Sequence, residues 1–255
     1  MKLNLTTRDL TAIIVCAALY AIFGYLTAPL SPFGIKFLPA VVIPAIFAVL
    51  YGPWVGGISG AIGIFILDMA THAIPLLSLT AGVPPNFVLF FLIGYLYTKN
   101  ISLKQVLTVV SIAIIGLLSI SIILLPQVAA LNEMSTIAFL FTFVFTIIIS
   151  LIAIVGVSIR WKEWRSYAIG AVIGQIAGGL LLSVTLWAVS PFFIDNYFTT
   201  GPIAAISVLP LFIWTVATEI PFILLAGPPI LKKIQDAFPN LQYKNKPLKK
   251  GGSVD

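Results

Sequence analysis

"GISGAIGIFILDMATH", residues 57–72, is an apolar stretch with glycines at its start and an aspartate and the chain's only histidine at its end. Asp68 and His72 are four residues apart and therefore share one face of a helix. That face lies well over 90° from the face that holds the glycines. A charged pair in apolar surroundings needs a partner or a function. We expect one face of this helix to pack against its neighbours and another to face water or a ligand.

The composition indicates an integral membrane protein. Hydrophobic residues make up 60% of the 255 residues and charged residues only 9%, whereas a soluble domain carries about 25% charged residues. The mean hydropathy is +1.12. Continuous apolar runs, rather than an alternating pattern, favour helices over a transmembrane β-barrel.

Apolar runs of about the 20 residues that a bilayer requires recur along the chain. They predict an all-α integral membrane protein with a bundle of about eight transmembrane helices. The runs are residues 10–28, 37–51, 54–72, 85–98, 105–126, 135–159, 166–190 and 202–231. We therefore expect a transmembrane helical domain over residues 1–235 and a basic cytoplasmic tail over residues 236–255.

The basic residues predict the orientation. With eight spans and a cytoplasmic N-terminus, all but one of the 14 lysines and arginines lie inside, and the exception is Lys36. This bias follows the positive-inside rule, so we expect both termini in the cytoplasm of a multi-pass protein of the cell membrane. The net charge of +6 then reflects topology and contact with anionic membrane lipid, not nucleic acid binding.

Small residues form stripes on three of the predicted helices. Such stripes let helices approach closely in lipid, where packing replaces the hydrophobic drive. Each stripe either holds the chain's own bundle together or serves as a docking face for another subunit. The stripes are Ala17, Ala21, Gly24 and Ala28; Gly52, Gly56, Gly60 and Gly63; and Gly170, Gly174 and Gly178.

The N-terminal quarter of the chain resembles a known family. "TRDLTAIIVCAALYAIFGYL", followed after a loop by "FGIKFLPAVVIPAIFAVLYGPWVGGISGAIGIFILD", is similar to the substrate-binding S component of energy-coupling factor (ECF) vitamin transporters. The resemblance covers about residues 6–70 and, loosely, the last two helices. That family usually has six helices, so the resemblance implies a six-helix core plus an extra hairpin at about residues 105–159.

The resemblance also implies partners. It makes the stripe of Ala17, Ala21, Gly24 and Ala28 the face that meets the transmembrane coupling (T) subunit, and it implies two ATPase subunits that supply the power. The chain has no G-x-x-x-x-G-K-[ST] phosphate loop, which fits a protein that relies on partners for ATP. We expect no cofactor of its own.

Enzymatic and metal-binding alternatives have little support in the sequence. Ser59 in "GISG" suggests a rhomboid-type serine nucleophile, but the only histidine lies thirteen residues further along the same helix. At 1.5 Å per residue that separation is about 20 Å, far beyond the hydrogen-bonding distance that a dyad needs. One cysteine, Cys16, and one imidazole argue against a disulfide and a metal cluster.

Polar residues at membrane depth are the first candidates for a substrate-binding site. Asp68 and His72 either form a local pair that orients the following loop or line a ligand site. Glu219 and Gln175 lie at similar depth on different helices. Glu219 is either a polar anchor bonded to Gln175 or the counter-charge for a cationic substrate.

Further candidates lie toward the predicted outer side. Asp195 and Asn196 stand among four aromatic residues in "SPFFIDNYFTTG", which suits either the stacking of a flat heterocycle or an interfacial belt. Lys36 lies in a loop that closes over substrate in the resembled family, or else it snorkels to lipid headgroups. Asn86 and Trp187 are expected to face an outward pocket.

Together these features predict a membrane-embedded subunit of an ATP-driven ECF-type importer that captures a small water-soluble vitamin or related nutrient from outside. The alternative is a proton-coupled secondary transporter that works through Asp68 or Glu219 without ATPase partners. A third class, an intramembrane enzyme acting on lipid, lacks a catalytic cluster in the sequence.

Overall fold

The computed structural model describes residues 5–30, 38–113, 115–116, 119, 136–193, 208–239 and 241. This part of the chain is helical and contains no strand. Five of its helices are long and apolar enough to cross a membrane. The structure therefore confirms a helical membrane protein, while the count of eight crossings stays a prediction.

Each predicted apolar run overlaps a helix in the part of the chain that the structure describes. The described helices are α1 (Thr7–Thr27), α2 (Val42–Tyr51), α3 (Pro53–Thr71), α4 (Pro75–Tyr97), α5 (Leu103–Ala113), α6 (Thr136–Arg160), α7 (Arg165–Val189) and α8 (Val208–Ala237). The five long helices are α1, α3, α4, α7 and α8, and α4 includes a π-helical stretch at Ser78–Gly82.

Local sequence explains where the first helices begin and end. The Thr6 hydroxyl accepts a hydrogen bond from the Asp9 amide, and the Asp9 carboxylate accepts one from the Thr6 amide at 2.9 Å. This capping box satisfies two amides that the first turn leaves unpaired. Between α2 and α3, Gly52 has a φ of 101°, which favours glycine, and Pro53 starts the next helix.

Contacts between helix termini show which termini lie together at one end of the bundle. The Arg8 guanidinium at the start of α1 lies 5.4 Å from the centroid of the Tyr51 ring at the end of α2. The Ser166 hydroxyl at the start of α7 donates to the carbonyl of Lys99, just beyond α4. Gln235, near the end of α8, donates to the Tyr97 hydroxyl over 3.5 Å. These contacts define a basic end, and we call the opposite end the far end.

Glycines on α7 let its backbone lie directly against α4, which packs most extensively with α3 and α7. A Cβ atom at Gly174 would lie 2.7 Å from the Leu89 carbonyl oxygen, and one at Gly178 would lie 2.9 Å from that of Pro85. No real side chain accepts such contacts with a backbone. The α7 stripe is therefore an internal packing face.

Three residues of the stripe on α1 are buried in the chain itself. Ala17 and Ala21 are only 2% and 6% exposed, and Gly24 is buried. A Cβ atom at Gly24 would lie 2.6 Å from Leu67 Cδ2 on α3. These three positions are buried within the chain's own bundle, and the docking role of the stripe stays a prediction. Ala28, the last residue of the stripe, is partly exposed.

Candidate functional site

A cavity of about 260 Å³ lies between α3, α4, α7 and α8 in the half of the bundle at the far end. Its lining residues come from the last third of α3, the first half of α4, the second half of α7 and the start of α8. Most of the wall is aliphatic. The polar side chains that line it are Asp68, His72, Ser78, Asn86, Gln175, Thr215 and Glu219.

Asp68 is the centre of one polar group in this cavity. The Ser78 hydroxyl donates to Asp68 Oδ2 at 2.7 Å, and His72 Nε2 lies 3.5 Å from Asp68 Oδ1. The shared face that the i, i+4 spacing predicts is therefore confirmed, and both alternatives for these residues agree with the structure: they form a pair and they line the cavity. The amide of Ile74 donates to His72 Nδ1 at 3.2 Å, so the imidazole also shapes the turn that follows α3.

The π-helical stretch of α4 provides room for the Asp68 carboxylate. At Gly82, the last residue of that stretch, a Cβ atom would lie 2.5 Å from Asp68 Oδ2. The same stretch carries Ser78, the hydrogen-bond donor to Asp68. Local π-helical geometry often occurs at functional sites, and here it directs a hydroxyl toward a buried carboxylate.

Gln175 and Glu219 form a second polar group on α7 and α8. Gln175 Nε2 donates to Glu219 Oε2 at 2.7 Å and to the Thr215 carbonyl at 3.1 Å. Gln175 is 1% exposed and Glu219 9% exposed. This bond, which is one of the two alternatives that the sequence leaves open for Glu219, joins the two helices at the cavity wall.

Asn86 connects the cavity to the first helix. Its Nδ2 donates to the Gly82 carbonyl at 3.0 Å, and its Oδ1 accepts a hydrogen bond from the Tyr20 hydroxyl at 2.9 Å. Tyr20 is fully buried and packs edge-on against Phe90. The amide of Asn86 is therefore held in one orientation from two sides.

Five of the nine predicted substrate-binding residues line this one cavity. They are Asp68, His72, Asn86, Gln175 and Glu219. Trp187 is elsewhere, since it does not line the cavity and its side chain is 41% exposed. Lys36, Asp195 and Asn196 lie outside the described residues. The substrate-binding role of all nine residues stays a prediction.

Sequence reasoning missed Ser78, Thr215 and Tyr20. Ser78 and Thr215 line the cavity, and Tyr20 holds Asn86. A signal existed for Tyr20, because it lies three residues after Ala17 and so faces the same neighbour as the small-residue stripe. Nothing in the sequence distinguished Ser78 from other hydroxyl residues in apolar helices, since its role depends on the π-helical stretch.

Two observations concern the enzymatic and metal-binding alternatives. The Ser59 hydroxyl is fully buried and donates to the Gly56 carbonyl of its own helix at 3.1 Å. Among residues 5–30, 38–113, 136–193 and 208–239, no three His, Cys, Asp or Glu side chains are grouped closely enough to hold a metal ion.

No family model, no curated protein and no solved structure matches this chain. Its function is therefore inferred from the geometry and chemistry of the cavity.

Proposed function

We propose that the chain is the substrate-binding subunit of an ATP-driven importer of the energy-coupling factor type. The observation that carries this proposal is the cavity at the far end of the bundle, which has an aliphatic wall and two buried carboxylates. A cavity with a few placed polar groups in an apolar wall is the usual form of a small-molecule site. Its volume of about 260 Å³ suits a small nutrient.

The arrangement of the helices supports the same proposal. The cavity is lined by α3, α4, α7 and α8, together with Leu38 just before α2. None of the described residues of α5 and α6 lines it. A core of α1 to α4 with α7 and α8 has six helices, which is the number in the resembled family, and α5 and α6 correspond to the extra hairpin.

The proposed orientation places the cavity toward the outside. Its lining belongs to the far end, whereas Lys99, Arg160 and Arg165 stand where helices end or begin at the basic end. Under the positive-inside rule the basic end faces the cytoplasm, in the cell membrane. A small water-soluble nutrient then enters the cavity from outside, and partner subunits supply the coupling and the ATP hydrolysis.

Co-purification and uptake test the proposal together. A gently solubilised tagged chain should retain a T subunit and two ATPase subunits, and vesicles that contain the whole complex should take up substrate only with ATP. Native mass spectrometry of the complex gives the mass of the retained small molecule. Substrate uptake by the purified chain alone would overturn the proposal.

A proton-coupled secondary transporter is the second candidate. Glu219 favours it, because this buried carboxylate lies two residues before Pro221, one of three prolines inside α8. Prolines interrupt the hydrogen-bond ladder and allow a helix to bend, and intramembrane carboxylates serve as proton relays in many carriers. Uptake by the chain alone, driven by a proton gradient and lost in Glu219→Gln, identifies this mechanism.

A further inference from the structure

The orientation of the Gln175 side chain leaves a buried hydrogen-bond acceptor at the cavity. Gln175 Nε2 has two partners, a carboxyl oxygen of Glu219 and the backbone carbonyl of Thr215, and the carbonyl can only accept. The NH₂ group of the amide must therefore face them. Gln175 Oε1, which is buried, has no hydrogen-bond partner among the described residues. A buried acceptor of this kind calls for an N–H or O–H donor, and a ligand in the cavity can supply one.

The charges around the cavity favour a cation. Two carboxylates, Asp68 and Glu219, line it, and none of the described lysines or arginines does. His72 is the basic side chain in the lining, and its Nε2 faces Asp68 at 3.5 Å. Glu219 has only the neutral amide of Gln175 as its hydrogen-bond partner in the described structure. A cationic ligand next to Glu219 would provide the counter-charge that a carboxylate in the membrane requires.

The side chains of the cavity wall favour a cation with N–H groups over a quaternary ammonium. No Phe, Tyr or Trp among the described residues lines the cavity, whereas quaternary ammonium groups are recognised by aromatic cages. A quaternary ammonium also has no N–H group to give to Gln175 Oε1. The aliphatic wall, which includes Leu89, Leu182 and Leu211, suits a compact apolar body attached to the charged group.

We propose that the cavity binds a small primary amine in its ammonium form, with the ammonium group donating to Glu219 and Gln175 Oε1 and an apolar body against the leucines. This inference rests on the proposed function only in that both place the substrate in this cavity. It goes beyond that function because it names the chemical class of the substrate and the two groups that select it.

Thermal unfolding of the full chain in detergent, with matched small molecules as probes, tests the inference. The probes are cyclohexylmethylamine and isobutylamine, the N-trimethyl salt of each, and the carboxylates cyclohexylacetate and isovalerate. A ligand that binds the folded state raises the unfolding temperature. We expect at least one of the two primary amines to stabilise the protein, with no comparable effect from its trimethyl salt or its carboxylate.

Two variants identify the site. Glu219→Gln should weaken binding of the stabilising amine by about tenfold or more, because it removes a charge-assisted hydrogen bond. Glu163→Gln is the matched control, since it makes the same change at an exposed carboxylate at the basic end and should leave binding unchanged. The comparison of amine with trimethyl salt uses the unaltered chain, so it remains valid if Glu219→Gln does not fold.

Stabilisation by neither amine, equal stabilisation by a trimethyl salt or carboxylate, or unchanged amine binding in folded Glu219→Gln would each overturn the inference. These outcomes are separate from those for the proposed function. Uptake of the amine by the purified chain, without partner subunits or ATP, contradicts the importer and leaves the substrate class in place. An ATP-driven complex that retains an anionic nutrient supports the importer and contradicts the inferred substrate class.

Discussion

Gly82 lies so close to the carboxylate of Asp68 that a Cβ atom on residue 82 would come within 2.5 Å of Asp68 Oδ2. The two residues belong to different helices, and the contact occurs at the end of the π-helical stretch of α4. The same carboxylate oxygen accepts the Ser78 hydroxyl. The position of Asp68 at the cavity therefore depends on the absence of a side chain at residue 82.

Replacing Gly82 by alanine should displace the Asp68 carboxylate and break its bond with Ser78. We expect a loss of about 1–3 kcal/mol in the free energy of unfolding, the range for overpacking a tight site. Unfolding of the purified protein in detergent measures it. Gly156→Ala is the control, because a Cβ atom there meets nothing within 4 Å. Equal stability of the two variants would contradict the contact.

Gly174→Ala tests the packing of α7 on α4. The added Cβ atom would lie 2.7 Å from the Leu89 carbonyl oxygen, and a helix backbone has little freedom to move away. Separation of the helices should lower the free energy of unfolding by about 1–3 kcal/mol and alter the cavity between them. Thermal unfolding measures the first effect and binding of the retained substrate the second. A fully stable variant would show that the two backbones are further apart.

Ala21→Leu separates a core role of the α1 stripe from a docking role. Ala21 is 6% exposed and belongs to the main core cluster, so a leucine there must overpack the chain's own core, with a cost of about 1–3 kcal/mol. Ala18→Leu on the exposed side of the same helix should leave stability nearly unchanged. If Ala21→Leu is as stable as Ala18→Leu but no longer associates with partner subunits, the stripe is a docking face after all.

Cysteine labelling tests the orientation of the bundle. In a background with Cys16 replaced by serine, Lys162→Cys at the basic end should react with membrane-impermeant reagents only after the membrane is opened. Ala73→Cys, at an exposed position of the far end, should react in intact cells. Reaction of the cysteine at position 162 in intact cells would reverse the assignment and would place the cavity on the cytoplasmic side.

The sequence predicted the helices and much of the cavity's polar lining for a simple physical reason. Charged and amide side chains are costly in lipid, so Asp68, Gln175 and Glu219 stand out in apolar helices and are brought together at a shared interior. Stripes of small residues, by comparison, do not identify the helix that packs against them. Ala17 and Ala21 have the spacing for close packing, but spacing alone does not tell whether the neighbour is the same chain or another subunit.

Contacts that depend on a local distortion of a helix could not be predicted from the sequence. The π-helical stretch rotates the start of α4 and brings Ser78 and Gly82 to Asp68, and no residue type encodes that irregularity. The same holds for Tyr20, whose hydroxyl reaches Asn86 across 66 positions of the chain. Pairings of that kind follow from the packing of whole helices.

The hydrogen-bond partner of each cavity carboxylate has a consequence for the insertion of the protein into the membrane. Asp68 is bonded to Ser78 on the next helix along the chain, and Glu219 is bonded to Gln175 on the helix before it. Each carboxylate therefore finds its partner within a hairpin of consecutive helices. The translocon can release α3 with α4, and later α7 with α8, as units whose acidic groups already have hydrogen-bond donors. The cavity forms only when the second hairpin packs against the first.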